Sequence, residues 1–247
     1  MYKNIYPGIF LLLCIIMSVL DSTVNAKEDF ARERKNMMAE IRETVRYTRD
    51  YTGKKSLDEG VMAVMARVPR HEFIPEGLWR YAYENRPLPI GDGQTISQPY
   101  IVALMTDLAA VGRDSIVLEV GTGSGYQAAV LAELVKHVYT IEIIEQLGTR
   151  AKDTLQRLGY GNISVRIGDG YNGWPEHAPF DAILVTAAPE KIPAPLIEQL
   201  KPGGRLVIPV GEHYGTQLLK VIEKDASGTL TEHDVLPVGF VPLTGDH

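Results

Sequence analysis

Ser115-Ile-Val-Leu-Glu-Val120, Gly121-Thr-Gly-Ser-Gly-Tyr126 and Gln127-Ala-Ala-Val-Leu-Ala-Glu-Leu-Val135 follow one another without interruption. The first segment is a continuous apolar run, as expected of a strand buried on both faces of a parallel sheet. The second turns the chain through three glycines, where the backbone can come close to a ligand because no Cβ intervenes. The third reads as a helix whose unpaired first N–H groups face the same ligand. A strand, a tight glycine turn and a helix in this order form a nucleotide-binding site, although the turn alone would also fit a plain strand-to-helix connection. The dinucleotide fingerprint needs Gly-x-Gly-x-x-Gly, and Tyr126 stands where its last glycine would be. The spacing of Gly121, Gly123 and Gly125 therefore suits S-adenosylmethionine better than NAD.

Two carboxylates follow at the positions such a site needs. His137-Val-Tyr-Thr-Ile141 reads as the second strand, with Glu142 at its carboxyl end, where doubly wound folds place an acid for the two ribose hydroxyls. Ile163-Ser-Val-Arg-Ile167 reads as the third strand and runs into Gly168-Asp169-Gly170, so a second acid lies at the same sheet edge, suited to an adenine amino group. Either acid alone fits a solvated strand end. All three elements in sequence order favour the binding site.

The 247 residues, 45% hydrophobic and 23% charged, suffice for one globular domain with a full core, and 23 glycines with 15 prolines suit a loop-rich α/β protein. No repeat or low-complexity tract is present. The formal net charge of -6 argues against a nucleic-acid partner, which would call for clustered Lys and Arg. Arg32, Arg34 and Lys35 do cluster, but Glu28, Asp29 and Glu33 interleave with them, as on a solvated helix face. Residues 1–26 read as a secretory signal peptide. Lys3 precedes an apolar stretch from Ile9 to Leu20 that is too short to span a bilayer, and Val24-Asn25-Ala26 offers small residues for cleavage. The expectation is an exported, periplasmic protein, with an uncleaved membrane anchor as the alternative. The single cysteine, Cys14, lies inside this segment, so the mature chain would carry no thiol in an oxidising compartment.

Residues 27–86 read as an N-terminal helical region. Phe30, Met37, Met38, Ile41, Val45 and Tyr51 give a loosely apolar side, Thr52 to Ser56 breaks the pattern, and Leu57 to Arg67 resumes it. The sheet domain that carries the cofactor site is expected over 87–247, opening on the polar, glycine-rich stretch Pro87 to Tyr100. Pro99 suits the first position of a helix reaching Ala110. Ser97 thus stands near a helix N-terminus, where capping is an alternative to a chemical role.

Val68-Pro-Arg-His-Glu-Phe-Ile-Pro75, Pro87-Leu-Pro-Ile-Gly91, Gln94-Thr-Ile-Ser-Gln-Pro-Tyr100, Glu119 to Tyr126, Gly168-Asp-Gly170 and Gln199-Leu-Lys-Pro-Gly-Gly-Arg-Leu206 together resemble the protein-L-isoaspartate O-methyltransferase family, from about Val68 to Gly245. The segment Gln94 to Tyr100 is specific to that family; the glycine turn is shared by many methyltransferases. The resemblance implies that Ser97 is the active residue. It also implies that Gln94, Thr95, Ile96, Ser97, Gly121, Glu142, Asp169 and Gly170 line the S-adenosylmethionine site, to which the turn itself adds Gly123 and Gly125. The implied substrates are damaged proteins and peptides carrying isoaspartyl residues. The departures lie at the N-terminus: an export signal, and a longer stretch from Tyr47 to Ser56 than the family usually carries.

The remaining pattern is consistent with a Rossmann-like α/β fold, a mostly parallel doubly wound sheet with antiparallel closing strands and an N-terminal helical extension. Phe180 to Thr186 and Gly204 to Val210 read as further strands, Ile192 to Leu200 as a proline-opened helix, and Leu218 to Glu223 with Thr229 to Val238 as closing strands. Gly203 and Gly204 fit a helix C-cap turn. No metal is expected, because the histidines show no paired-ligand spacing. A Ser-His-Asp hydrolase is disfavoured, since Gly-x-Ser-x-Gly is absent. Three rival functions remain: an NAD-dependent oxidoreductase, which would want a glycine in place of Tyr126, a general carboxyl or small-molecule methyltransferase, and a non-catalytic S-adenosylmethionine-binding protein. Selectivity for isoaspartate is expected to come from main-chain hydrogen bonds in the Pro87–Ser97 segment and the loop after Val210.

Overall fold

The structure, a computed structural model, describes residues 7–212 and 215–245, with side chains from residue 30 onward. The signal-peptide reading of residues 1–26 and positions 213 and 214 of the loop after Val210 lie outside the residues described in full. The chain forms the helices α1 (Pro7–Thr52), α2 (Glu59–Arg67), α3 (Pro99–Leu108), α4 (Tyr126–Ala132), α5 (Glu145–Arg157) and α6 (Ala194–Glu198). A small hairpin, β1 (Leu88–Gly91) and β2 (Gln94–Ile96), precedes the main sheet. The main sheet is built from β3 (Ile116–Val120), β4 (His137–Glu142), β5 (Ile163–Ile167), β6 (Phe180–Val185), β7 (Leu200–Val210), β8 (Gln217–Lys224) and β9 (Leu230–Val238).

The seven strands lie in the order β5-β4-β3-β6-β7-β8-β9, the first five parallel and the last two antiparallel. After β3 the chain builds outward to β4 and β5, then returns to the other side of β3 as β6. That reversal opens a crevice at the carboxyl ends of β3 and β6, where open α/β sheets bind ligands. Alternation along the strands supplies both faces of the core. Val117, Ala182, Leu184 and Val207 belong to one hydrophobic cluster, while Leu118, Val120, Ile183, Val185, Leu206 and Ile208 belong to the other.

The N-terminal region shares this core. Met37, Met38, Ile41 and Val45 recur at helical spacing on α1 and are buried in the same cluster as α3, α4 and β8. Tyr51, expected on that face, is instead 65% exposed. It lies six residues beyond Val45, which is about 120° away around the helix. Helix α2 starts at Asp58, whose carboxylate accepts from the N–H groups of Gly60 and Val61 as a side-chain N-cap.

Several boundaries differ from the sequence reading. The glycine-rich stretch after Pro87 folds into the β1–β2 hairpin, its turn at Asp92 and Gly93 taking positive φ. Helix α5 is absent from the reading; its buried positions, Leu147, Gly148, Ala151 and Leu155, form a stripe diluted by charge. Helix α6 covers only Ala194–Glu198 and is capped at Gln199. Gly203 has φ +85° but lies within β7, which begins irregularly at Leu200, so neither glycine caps the helix.

Gly125, the N-cap of α4, combines φ +88° with close packing: a Cβ there would meet Leu155 at 3.3 Å and Ala151 at 3.4 Å. Gly125→Ala is expected to destabilise the protein by about 1–3 kcal/mol through backbone strain. Urea unfolding should show a lower midpoint at unchanged slope.

Candidate active site

The carboxyl end of β3 shapes the site. At Gly121, φ +96° and the Thr186 hydroxyl, which occupies the place a Cβ would take, leave room for glycine alone. The N–H groups of Gly121 and Thr122 both donate to the Ile141 carbonyl, at 2.8 and 3.1 Å, tying the turn to β4. On the β6 side Thr186 donates from its hydroxyl to the Gly121 carbonyl at 2.5 Å and from its N–H to the Val120 carbonyl at 2.9 Å. The turn is thus held between its two neighbouring strands.

Glu142, the last residue of β4, is buried, and its carboxylate is aimed by the backbone. Oε2 accepts from the Gly123 N–H at 2.7 Å and Oε1 from the Ile144 N–H at 2.9 Å. A carboxylate has about four acceptor positions, so two remain for ligand hydroxyls.

Glu119, one residue before the end of β3, is fully buried. Its Oε2 accepts from the Thr140 hydroxyl at 2.5 Å, Thr140 pairs with the Thr122 hydroxyl at 2.7 Å, and Oε1 is a buried oxygen without a hydrogen-bond partner. Burial pushes this carboxyl up to about 8; the Thr140 hydrogen bond opposes the rise and the Glu142 charge adds to it.

Of the residues expected at the site, Gln94, Thr95, Ile96 and Ser97 line one cleft together with Gly121, Gly123, Glu142 and Gly170. Gly125 lies behind the turn, against α5. Asp169 adjoins the cleft through Gly170, and its carboxylate accepts from the Tyr171 N–H at 2.9 Å. Ser97 does not cap α3: the N-cap residue is Gln98, which makes no side-chain capping bond, and Pro99 opens the helix. Asn85 does the equivalent work from outside. Its Oδ1 accepts from the Tyr100 N–H at 2.9 Å, its carbonyl accepts from the Gln98 side chain at 2.9 Å, and its Nδ2 donates to Thr44 at 3.1 Å.

Other lining residues escaped the sequence reading. Glu119 was hidden inside an apolar strand. Thr186 and the segment Val241 to Thr244 come from distant parts of the chain. That segment is held over the cleft by main-chain bonds from the Ala188 N–H to the Val241 carbonyl and from the Leu243 N–H to the Ala188 carbonyl, at 2.8 and 2.9 Å. The buried Gln217 fixes its approach by bonding both the N–H and the carbonyl of Phe240. A second cavity, of about 490 Å3, adjoins the cleft and shares Thr95, Ser97, Thr186 and Val241 with it. Among the described residues no group of three or more His, Cys, Asp or Glu side chains is placed to hold a metal.

Residues 42–247 match the profile of the family described as Protein-L-isoaspartate(D-aspartate) O-methyltransferase. The chain belongs to this family. It is 58% identical over 241 residues to Protein-L-isoaspartate O-methyltransferase 2 of Syntrophobacter fumaroxidans, covering 97% of this chain and 98% of that one. It is 66% identical over 209 residues to Protein-L-isoaspartate O-methyltransferase 2 of a Polaromonas species, covering 85% and 99%. Among solved structures, a protein-L-isoaspartate O-methyltransferase superposes with a TM-score of 0.74 at 27% identity, covering 86% of this chain and 66% of that one. A Plasmodium falciparum structure described as a protein-L-isoaspartate O-methyltransferase, in complex with S-adenosyl-L-homocysteine, gives 0.66 at 26% identity, covering 83% and 97%. The protein-L-isoaspartate O-methyltransferase family thus accounts for the α/β sheet and for the cleft at its carboxyl edge.

Glu119 makes the stability of this family member depend on pH. Between the ordinary carboxyl value of 4.5 and about 8 the folded chain holds a proton that the unfolded chain has released. Stability should therefore fall as pH rises through that window, by up to about 1.4 kcal/mol per pH unit. Denaturation of Glu119→Gln between pH 5 and 8 should lack this component, and identical slopes in both proteins would show that Glu119 ionises freely.

Proposed function

We propose that the protein transfers a methyl group from S-adenosylmethionine to the free α-carboxylate of L-isoaspartyl residues in damaged proteins and peptides. The observation that carries this reading is the position of Ser97: within the family-specific segment Gln94–Ser97, Thr95 and Ser97 line both the cofactor cleft and the second cavity. A methyl donor on one side and a peptide on the other would meet at this residue.

The residues of the cleft fit S-adenosylmethionine. Glu142 has acceptor positions for the two ribose hydroxyls, the missing Cβ at Gly121 lets the chain pass close to the donor, and the orphaned oxygen of Glu119 suits an ammonium donor. Asp169 and Gly170 stand on the adenine side in this reading. When bound, S-adenosylmethionine supplies an electrophilic methyl group on a sulfonium. The protein's task is to orient the acceptor and exclude water. The isoaspartyl α-carboxylate is already an anion at neutral pH, so no strong general base is needed. Holding its oxygen in line with the methyl carbon can contribute about 7 kcal/mol or more. Ser97 contributes a hydroxyl that positions the carboxylate, and the strap from Val241 to Thr244 keeps water out. Methylation converts the carboxylate into an ester, so the main-chain nitrogen can attack its carbonyl, expel methanol and close a succinimide, whose hydrolysis re-forms a normal aspartyl linkage. We further propose that residues 1–26 direct the protein out of the cytoplasm, on the strength of Lys3, the Ile9–Leu20 run and Val24-Asn25-Ala26.

Labelled S-adenosylmethionine with an isoaspartyl peptide and its aspartyl twin tests the activity. Methyl ester is expected on the first and almost none on the second, because one displaced methylene gives only about 1–3 kcal/mol by contact and the remainder must be geometric. Equal rates would make the enzyme a general carboxyl methyltransferase. Cofactor binding without methylation of either peptide would favour a binding protein.

The residue roles separate in two variants. Ser97→Ala should lower kcat while leaving the melting temperature nearly intact, since Ser97 caps nothing, and S-adenosylhomocysteine affinity nearly intact as well. Glu142→Ala should weaken that affinity by about 1.5–3 kcal/mol, the range for hydrogen bonds to a charged group. Calorimetric titration checks both, and unchanged affinity in a folded Glu142→Ala would remove this residue from the site.

A further inference from the structure

The second cavity meets the cleft at Thr95, Ser97, Thr186 and Val241 and extends beyond it. Its far wall is α1, through Thr44 and Thr48, and its near wall is the start of α3, through Tyr100 and Ile101. The chain leaving β9, from Leu236 to Val241, closes the third side. The protein as a whole is 23% charged, yet among the described residues none of the side chains lining this cavity is Asp, Glu, Lys, Arg or His. Its polar groups are neutral. The Thr48 and Tyr100 hydroxyls pair at 2.5 Å, and burial raises the Tyr100 phenol above its ordinary value. At about 490 Å3 the cavity falls within the range of about 300–1,000 Å3 typical of specific ligand sites.

We infer that this cavity receives the side chain of the residue adjoining the isoaspartyl residue, and that it selects damaged sites whose neighbour is apolar or aromatic over those whose neighbour is charged. The inference rests on the proposed transfer to an isoaspartyl carboxylate at Ser97. One residue of extended chain spans at most about 3.3–3.6 Å, so a neighbour of a carboxylate held at Ser97 cannot avoid the space that begins there. An apolar side chain gains by leaving water. A lysine or glutamate would be desolvated with no charge to meet it, which is costly. Thr44 and Thr48 thereby become specificity-determining residues supplied by the N-terminal helix. Their anchoring is shared with the catalytic segment, because Thr44 accepts from Asn85, which also holds the start of α3.

The test is a panel of isoaspartyl peptides of one sequence, with Leu, Phe, Lys or Glu placed immediately before or immediately after the damaged residue, assayed for kcat/KM. On at least one side the Leu and Phe peptides should exceed the Lys and Glu peptides by about tenfold or more, mostly through KM. Thr48→Glu places a carboxylate in the wall and should raise the Lys peptide relative to the Phe peptide, an effect that a merely structural Thr48 would not produce. S-adenosylhomocysteine titration of the variant should match the parent, which confirms an intact fold and cofactor cleft. Equal kcat/KM across the panel with methylation intact overturns the assignment of the cavity while leaving the activity standing. Failure to methylate any isoaspartyl peptide overturns the activity itself, and the inference with it.

Discussion

The turn after β3 is the constraint on which the rest of the site depends. The chain must leave the central strand between two parallel neighbours and still expose its backbone to a ligand. Both requirements meet at Gly121. Its N–H is tied to the Ile141 carbonyl of β4, its carbonyl accepts from the Thr186 hydroxyl beyond β6, and its positive φ and missing Cβ leave the passage open. Any side chain here would displace Thr186 and loosen the contact between β3 and β6. Gly123 follows at once, and its N–H fixes the carboxylate of Glu142. The geometry of the Glu142 carboxylate is therefore a consequence of the turn.

A second set of contacts carries that order across to the segment bearing Ser97. Arg70 is fully buried without a carboxylate partner, and burial lowers its guanidinium to about 10. It donates instead to the carbonyls of Ala82 and Arg86, at 2.9 and 3.4 Å, and lies over the Tyr126 ring. A buried cation bonded only to carbonyls and an aromatic face, with its Nη1 left without a hydrogen-bond partner, is sensitive to their placement. It fixes the segment from Ala82 to Arg86, and through Asn85 that segment fixes the start of α3. Ser97 is thus placed from both ends, by the β1–β2 hairpin before it and by the Asn85 junction after it.

The legibility of the fold followed the strength of local signals. The central strands β3 and β6 were readable because strands buried on both faces are largely apolar, and Glu142 was readable because it ends the neighbouring β4. Helix α5 was not, since only one narrow stripe of it is buried and Glu145, Arg150, Lys152 and Asp153 dilute the periodicity. The β1–β2 hairpin was concealed by its own turn: Gly91, Asp92 and Gly93 signal a loop, and the strands on either side have only four and three residues. Within the site, the residues that escaped are those whose role exists only in three dimensions. Thr186 and the strap from Val241 to Thr244 carry no motif: Thr186 reaches the cleft just beyond β6, and the strap follows β9, where Ala188 and, through Phe240, Gln217 hold it. Glu119 shows a different limit, for a carboxylate inside an apolar strand looks like an interruption until its partner on β4 is known.

The burial of Glu119 has a physical logic within the cleft. A carboxyl without a cation beside it is held protonated near neutrality, with one oxygen on Thr140 and the other unsatisfied. Such a group is destabilising to the fold, and its cost grows with pH. Replacing it by an apolar residue would relieve that cost but would leave the depth of the cleft with no acceptor. An unsatisfied oxygen of this kind is most useful where a ligand brings its own positive charge, because the ligand then completes a hydrogen-bond network that is already built from Thr122 and Thr140. Placing the acceptor on a strand, with its rotamer fixed by neighbouring hydroxyls, means that little further ordering is needed when the donor arrives. In the proposed function, stability given up at Glu119 is recovered as binding, and that exchange gives a physical reason for an unsatisfied buried carboxyl in the wall of the cleft.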